Sequence, residues 1–101
     1  MEIEITRTGK TSLLKPSEEI HFDNYKEVEQ RLIDEITGAG SEEVILDLSN
    51  VTTLYSMTLG MFNKIAHTIT KKGGRFCVTN VNSDIKKVLK ATRLDKVIEV
   101  K

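Results

Sequence analysis

Two periodicities alternate along this chain of 101 residues, and their order leaves few folds open. Apolar residues spaced three and four apart mark amphipathic helices, whereas short alternating or unbroken apolar runs mark strands. Glu2–Thr8 alternates, with Ile3 and Ile5 on one face. Gly9-Lys10 fits a tight turn into a second strand, Thr11–Lys15, built on Leu13 and Leu14. Pro16-Ser17 interrupts that strand and predicts that it lies near an edge or bends there. Ile20 and Phe22 then resume apolar contact ahead of the first helix.

That helix is predicted over Asn24–Thr37. Asn24 with Glu27 three residues on has the form of a capping box, and Tyr25, Val28, Leu32, Ile33 and Ile36 make one stripe. Gly38 stops it. Val44–Leu48 shows little alternation until Asp47, which predicts a strand covered on both faces. After a second short extended piece, another helix opens near Ser56–Thr58. Its stripe is Leu59, Phe62, Ile65, Ala66 and Ile69, and it ends at Lys72 with Gly73 as the stop. Arg75–Thr79 is a buried-looking strand. Ser83 is placed as the cap of a third helix whose Ile85, Val88 and Leu89 face inward and whose Lys86, Lys87 and Lys90 face out. Lys96–Val100 closes the sheet. The order β-β-α-β-α-β-α-β predicts one α/β domain: a mixed sheet, largely parallel after its opening hairpin, with amphipathic helices packed against it.

Composition narrows the function classes. Hydrophobic residues make up 39% and charged residues 30%, in keeping with a globular domain, and no apolar run approaches the ~18 residues of a membrane span. The first ten residues lack the apolar core of a signal peptide, and a single cysteine excludes an internal disulfide. A cytoplasmic protein is the expectation. The zero net charge hides a division. Residues 1–60 carry five Lys/Arg against twelve Asp/Glu, and residues 61–101 carry ten against three. A basic half suits an anionic partner such as a nucleic acid, or simply two solvated helix faces, and the second reading is favoured.

No catalytic or metal-binding constellation emerges. Cys77, His21 and His67 are scattered, with no ligand pair at helical spacing, so no metal or other cofactor is expected. Cys77, between Phe76 and Val78, reads as a small buried hydrophobe, and His67 falls opposite the apolar stripe of its helix. Gly73-Gly74 follows a helix and precedes a strand, the reverse of a phosphate loop. Asp47 is the only acid within an apolar strand, and backbone bonding at the strand end is favoured for it over acid–base catalysis. What remains are hydroxyls, Ser56 and Thr58, at a helix N-terminus, where backbone N–H groups favour added negative charge.

The ordered series Asp47-Leu48-Ser49-Asn50-Val51, Ser56, Leu59-Gly60, Lys72-Gly73-Gly74-Arg75-Phe76 and Val88–Ile98 resembles the STAS domain of bacterial anti-sigma factor antagonists. The resemblance implies a non-enzymatic regulator that binds an anti-sigma factor of the kinase type and so releases a sigma factor, with phosphorylation ending the binding. Family members usually read Asp-Ser-Ser/Thr-Gly-Leu-Gly at the turn, and the second hydroxyl residue is the phospho-acceptor. Aligned through Leu59-Gly60, this chain reads Tyr55-Ser56-Met57-Thr58-Leu59-Gly60. Tyr55 replaces the acid, Met57 takes the acceptor position and Thr58 replaces a glycine. A thioether cannot accept a phosphoryl group, so Ser56 becomes the candidate acceptor, or else only a helix cap. Tyr55, Ser56, Met57, Thr58 and Gly60 are the expected partner-binding residues, with Thr58 partly buried by its place in the first turn. A STAS module in a stress-signalling scaffold or a lipid-transporter complex is the alternative.

Overall fold

A computed structural model describes residues 1–101. The elements are β1 (Ile3–Thr8), β2 (Thr11–Pro16), α1 (Tyr25–Thr37), β3 (Glu43–Asp47), α2 (Ser56–Lys71), β4 (Arg75–Thr79), α3 (Ser83–Ala91), a 3-10 turn at Leu94–Lys96, and β5 (Glu99–Val100). They form one five-stranded sheet in the order β1-β2-β3-β4-β5; β1 is antiparallel to β2 and every later pair is parallel. Gly9, at φ +60°, makes the hairpin turn, and Gly73, at φ +79°, turns the chain from α2 into β4.

Because each crossover steps one strand in the same direction, crossovers of a single hand deliver all three helices to one face. On that face Leu14, Val44, Leu46, Phe76 and Val78 line up in register and pack against Val28, Leu32, Phe62, Ile65, Ile69, Ile85 and Leu89. The Phe62 and Phe76 rings meet edge to face, with centroids 5.8 Å apart.

Several local expectations are corrected. β2 is an interior strand; its pairing with β3 ends at Leu14, and Pro16 lies beyond that, against Ile3 only. β3 is covered on one face, since Ile45 is half-buried and, with Leu13 and Cys77, stays outside the core cluster. Its apolar run reflects flanking strands on both sides rather than layers on both faces. The capping box does not form: Asn24 is the N-cap of α1 but makes no side-chain cap, because its Oδ1 accepts from the His21 N–H behind it at 2.8 Å. Asn82, not Ser83, caps α3, its Oδ1 accepting from the Ile85 N–H at 2.8 Å. The extended piece after β3 pairs with no strand, and the last strand shrinks to two residues behind the 3-10 turn.

A polar knot fastens the opening hairpin to the helical layer. Glu35, on the inner face of α1 and 4% exposed, takes both prongs of the Arg7 guanidinium at 2.8 Å each and the Ser12 hydroxyl at 2.6 Å. The Arg7 hydrogen bonds come first in holding the Glu35 carboxyl below its ordinary range, against the upward push of burial.

Two tests follow from this architecture. Phe62→Ala should cost about 3–5 kcal/mol, read as a lower urea midpoint at similar slope. A depressed carboxyl contributes stability that is present above its unfolded value and lost as pH falls through its folded value. The melting temperature should therefore hold steady from neutrality and decline below about pH 4.3, and Glu35→Gln should flatten that decline while lowering the neutral-pH value.

Candidate protein-binding site

Parallel pairing of β2, β3 and β4 sends the loops β2–α1, β3–α2 and β4–α3 to one end of the sheet. There the chain after β3 is shaped by local polar bonds. Asp47, 7% exposed, accepts the Ser49 N–H at 2.9 Å through Oδ1, as expected of a strand-end turn. Burial pushes its carboxyl up, but the Ser49 and Asn80 bonds outweigh this and hold it below its ordinary range. Asn50 Nδ2 donates to the Pro16 carbonyl at 3.0 Å, and Val51 is buried beneath the loop.

A second carboxylate organises the approach to α2. Glu19, from the β2–α1 loop, accepts the Thr52 hydroxyl at 2.6 Å and the Thr52 N–H at 2.9 and 3.0 Å, with the Thr53 N–H at 3.4 Å. Partial burial raises its pKa, but these donors together keep it below the ordinary value. Asn82 Nδ2 donates to the Thr52 carbonyl at 3.1 Å, so all three loops meet at Thr52. Sequence reading missed Glu19, because its partners lie more than thirty positions away. Glu35 left a signal in its spacing, three residues beyond Leu32 and seven beyond Val28, on the apolar stripe of α1.

The turn residues divide between surface and core. Tyr55 is the N-cap of α2, extended at φ −86° and ψ 162°, 46% exposed, with no side-chain cap bond. Ser56 is thus the first helical residue rather than the cap, and it is exposed. Met57 is half-buried and lines a shallow groove between α1 and α2 with Tyr25, Lys26 and Gly60. Gly60 is exposed, and a Cβ there would meet nothing within 4 Å. Thr58, expected on the binding surface, is instead fully buried, its Oγ1 donating to the Ile20 carbonyl at 3.4 Å. Its hydroxyl ties α2 to the β2–α1 loop and leaves the partner-facing set. Phe22 departs from expectation in the other direction: Ile20 is buried but Phe22 is 73% exposed.

Lys86, Lys87 and Lys90 are exposed on α3, and His67 is exposed on α2. Cys77 is buried, though on the open face of the sheet, where its thiol donates to Glu99 at 3.1 Å and to Glu43 at 3.3 Å. Burial first, then these two carboxylates, push the thiol up to about 12, so it stays protonated. The register of β3, β4 and β5 therefore brings three metal-type donors within 4.8 Å of one another, a grouping that spacing along the chain concealed. Lys101 at 3.4 Å and Arg75 at 3.2 Å already engage the Glu43 carboxylate. No helix is long and apolar enough to cross a membrane.

Comparison with known proteins places this arrangement. A Thermotoga maritima protein named as a candidate anti-sigma factor antagonist is 28% identical over 88 residues, covering 87% of this chain and 78% of its own length. The crystal structure bearing the same Thermotoga maritima description superposes with a TM-score of 0.87 at 26% identity, over 97% of this chain and 84% of that one. The anti-sigma factor antagonist SpoIIAA in its unphosphorylated form shares the fold, with a TM-score of 0.81 at 12% identity, over 99% of this chain and 88% of that one. The STAS domain family model matches residues 2–101. The chain belongs to the STAS domain family, among relatives named as anti-sigma factor antagonists.

Proposed function

We propose that this protein is a regulatory binder that docks a kinase-type anti-sigma factor and lacks the phospho-switch at the family's acceptor position. The docking surface is the exposed part of the turn, Tyr55, Ser56, Met57 and Gly60, together with the solvent face of α2. Met57 carries the reading: it stands where the resemblance puts the acceptor, and its half-buried thioether has neither a proton to lose nor an oxygen to phosphorylate. SpoIIAA has been solved in both unphosphorylated and phosphorylated forms, so the fold accommodates such a switch in another protein. Asp47 and Cys77, the two groups a catalytic reading would use, are committed to backbone and carboxylate partners.

The kinase-type anti-sigma factors of the same genome, with ATP and intact-mass detection, provide the test. The wild-type chain should bind without gaining a phosphoryl group, and Met57→Ser should gain one. A wild-type gain abolished by Ser56→Ala would move the acceptor by one residue. A gain that survives Ser56→Ala would overturn the reading. Gly60→Ala should raise stability by about 0.5–1 kcal/mol, because the new methyl enters open space on a helix, while weakening kinase binding where the partner approaches the backbone.

A further inference from the structure

Building on that proposed function, we infer that Phe22 is a second anchor of the docking surface and fits a protein partner offering an apolar socket rimmed by Lys or Arg. Single exposed apolar side chains are ordinary on protein surfaces. Phe22 differs in how it is held. It is 73% exposed, more than Tyr55 at 46%, yet it stands between fully buried Ile20 and Asn24, which is 7% exposed. Asn24 bonds back along the loop, its Oδ1 accepting the His21 N–H at 2.8 Å and its Nδ2 donating to the Glu19 carbonyl at 2.9 Å. The Asp23 N–H donates to His21 Nδ1 at 3.2 Å. The loop is also fastened to the α2 turn, through the Glu19 carboxylate on Thr52 and the Ile20 carbonyl on Thr58. Phe22 and Tyr55 therefore project from two loops locked to each other. With the loop backbone already fixed, only the Phe22 side chain has freedom left to lose on docking, the property that makes an efficient anchor.

The charges around Phe22 select the class of partner. Glu18 and Asp23 flank it, both exposed; Glu18 meets His21 Nε2 at 3.9 Å and the Asn24 amide at 3.2 Å, and neither acid pairs with Lys or Arg. Within four residues of Phe22 along the chain the segment carries three carboxylates, Glu18, Glu19 and Asp23, against one lysine, Lys26. This acidic excess disfavours the phosphates of nucleic acid and of anionic lipid, and it complements a cationic rim on a protein.

The experiment measures binding kinetics of each purified kinase-type anti-sigma factor of the same genome. The analytes are wild type, Phe22→Ala, Tyr55→Ala, and a Glu18→Lys/Asp23→Lys double variant, each matched to wild type in melting temperature. Phe22→Gln replaces Phe22→Ala if the loop is perturbed. Loss of Phe22 should raise Kd about tenfold or more, mainly through faster dissociation. Charge reversal should slow association and flatten its salt dependence. Weakening by Tyr55→Ala, with the Phe22 variants within about twofold of wild type, would overturn the Phe22 anchor while leaving the proposed function standing. Unchanged or faster association after charge reversal would overturn the cationic rim. Absence of binding by the wild-type chain to every such kinase would overturn both.

Discussion

The whole loop-built end of this molecule depends on the parallel, nearest-neighbour pairing of β2, β3 and β4. Parallel strands that advance one place at a time have no reversal of order, so the sheet has no crevice of the kind that holds ligands at a topological switch point. They do gather three strand-to-helix loops at one end. A molecule built this way offers a loop-built surface with only a shallow groove, which suits a macromolecular partner better than a small substrate.

Two carboxylates, Glu35 near the end of α1 and Glu19 in the loop before it, tie opposite ends of the sheet to the helical layer. Glu35 clamps the hairpin to the helical layer through Arg7 and Ser12, and Glu19 joins the loops before α1 and α2 at Thr52. Both are satisfied by several donors at once, which is what makes a partly buried carboxylate stabilising rather than costly. The tie at Glu19 matters because the first turn of α2 has neither a side-chain cap nor an acidic residue, so the position of Tyr55 and Ser56 is set from the neighbouring loop instead.

The apolar stripes of all three helices and the β-branched strands were legible along the chain, because each is a local pattern whose burial reads directly as spacing. The capping box at Asn24 and Glu27 misled, since a side chain that can bond forward to a helix can equally bond backward to a loop. The two-faced burial expected of β3 also failed. A central strand is shielded along its edges by β2 and β4, and composition does not separate that shielding from a second layer. At the site, the exposure of Tyr55 and Ser56 follows their place at the helix start. The first-turn place of Thr58 gives partial burial, but its complete burial and the projection of Phe22 depend on where the β2–α1 loop passes over α2.

By itself the sequence determined the element order, the helical faces, and the side-chain chemistry at the start of α2, where Met57 carries a thioether. These are properties of single residues and of spacings within one helix or strand. Only the tertiary structure decided which side chains meet: Glu19 with Thr52, Glu35 with Arg7, Cys77 between Glu43 and Glu99. Those contacts join residues more than twenty positions apart, brought together by strand register and loop packing, and no local periodicity carries that information.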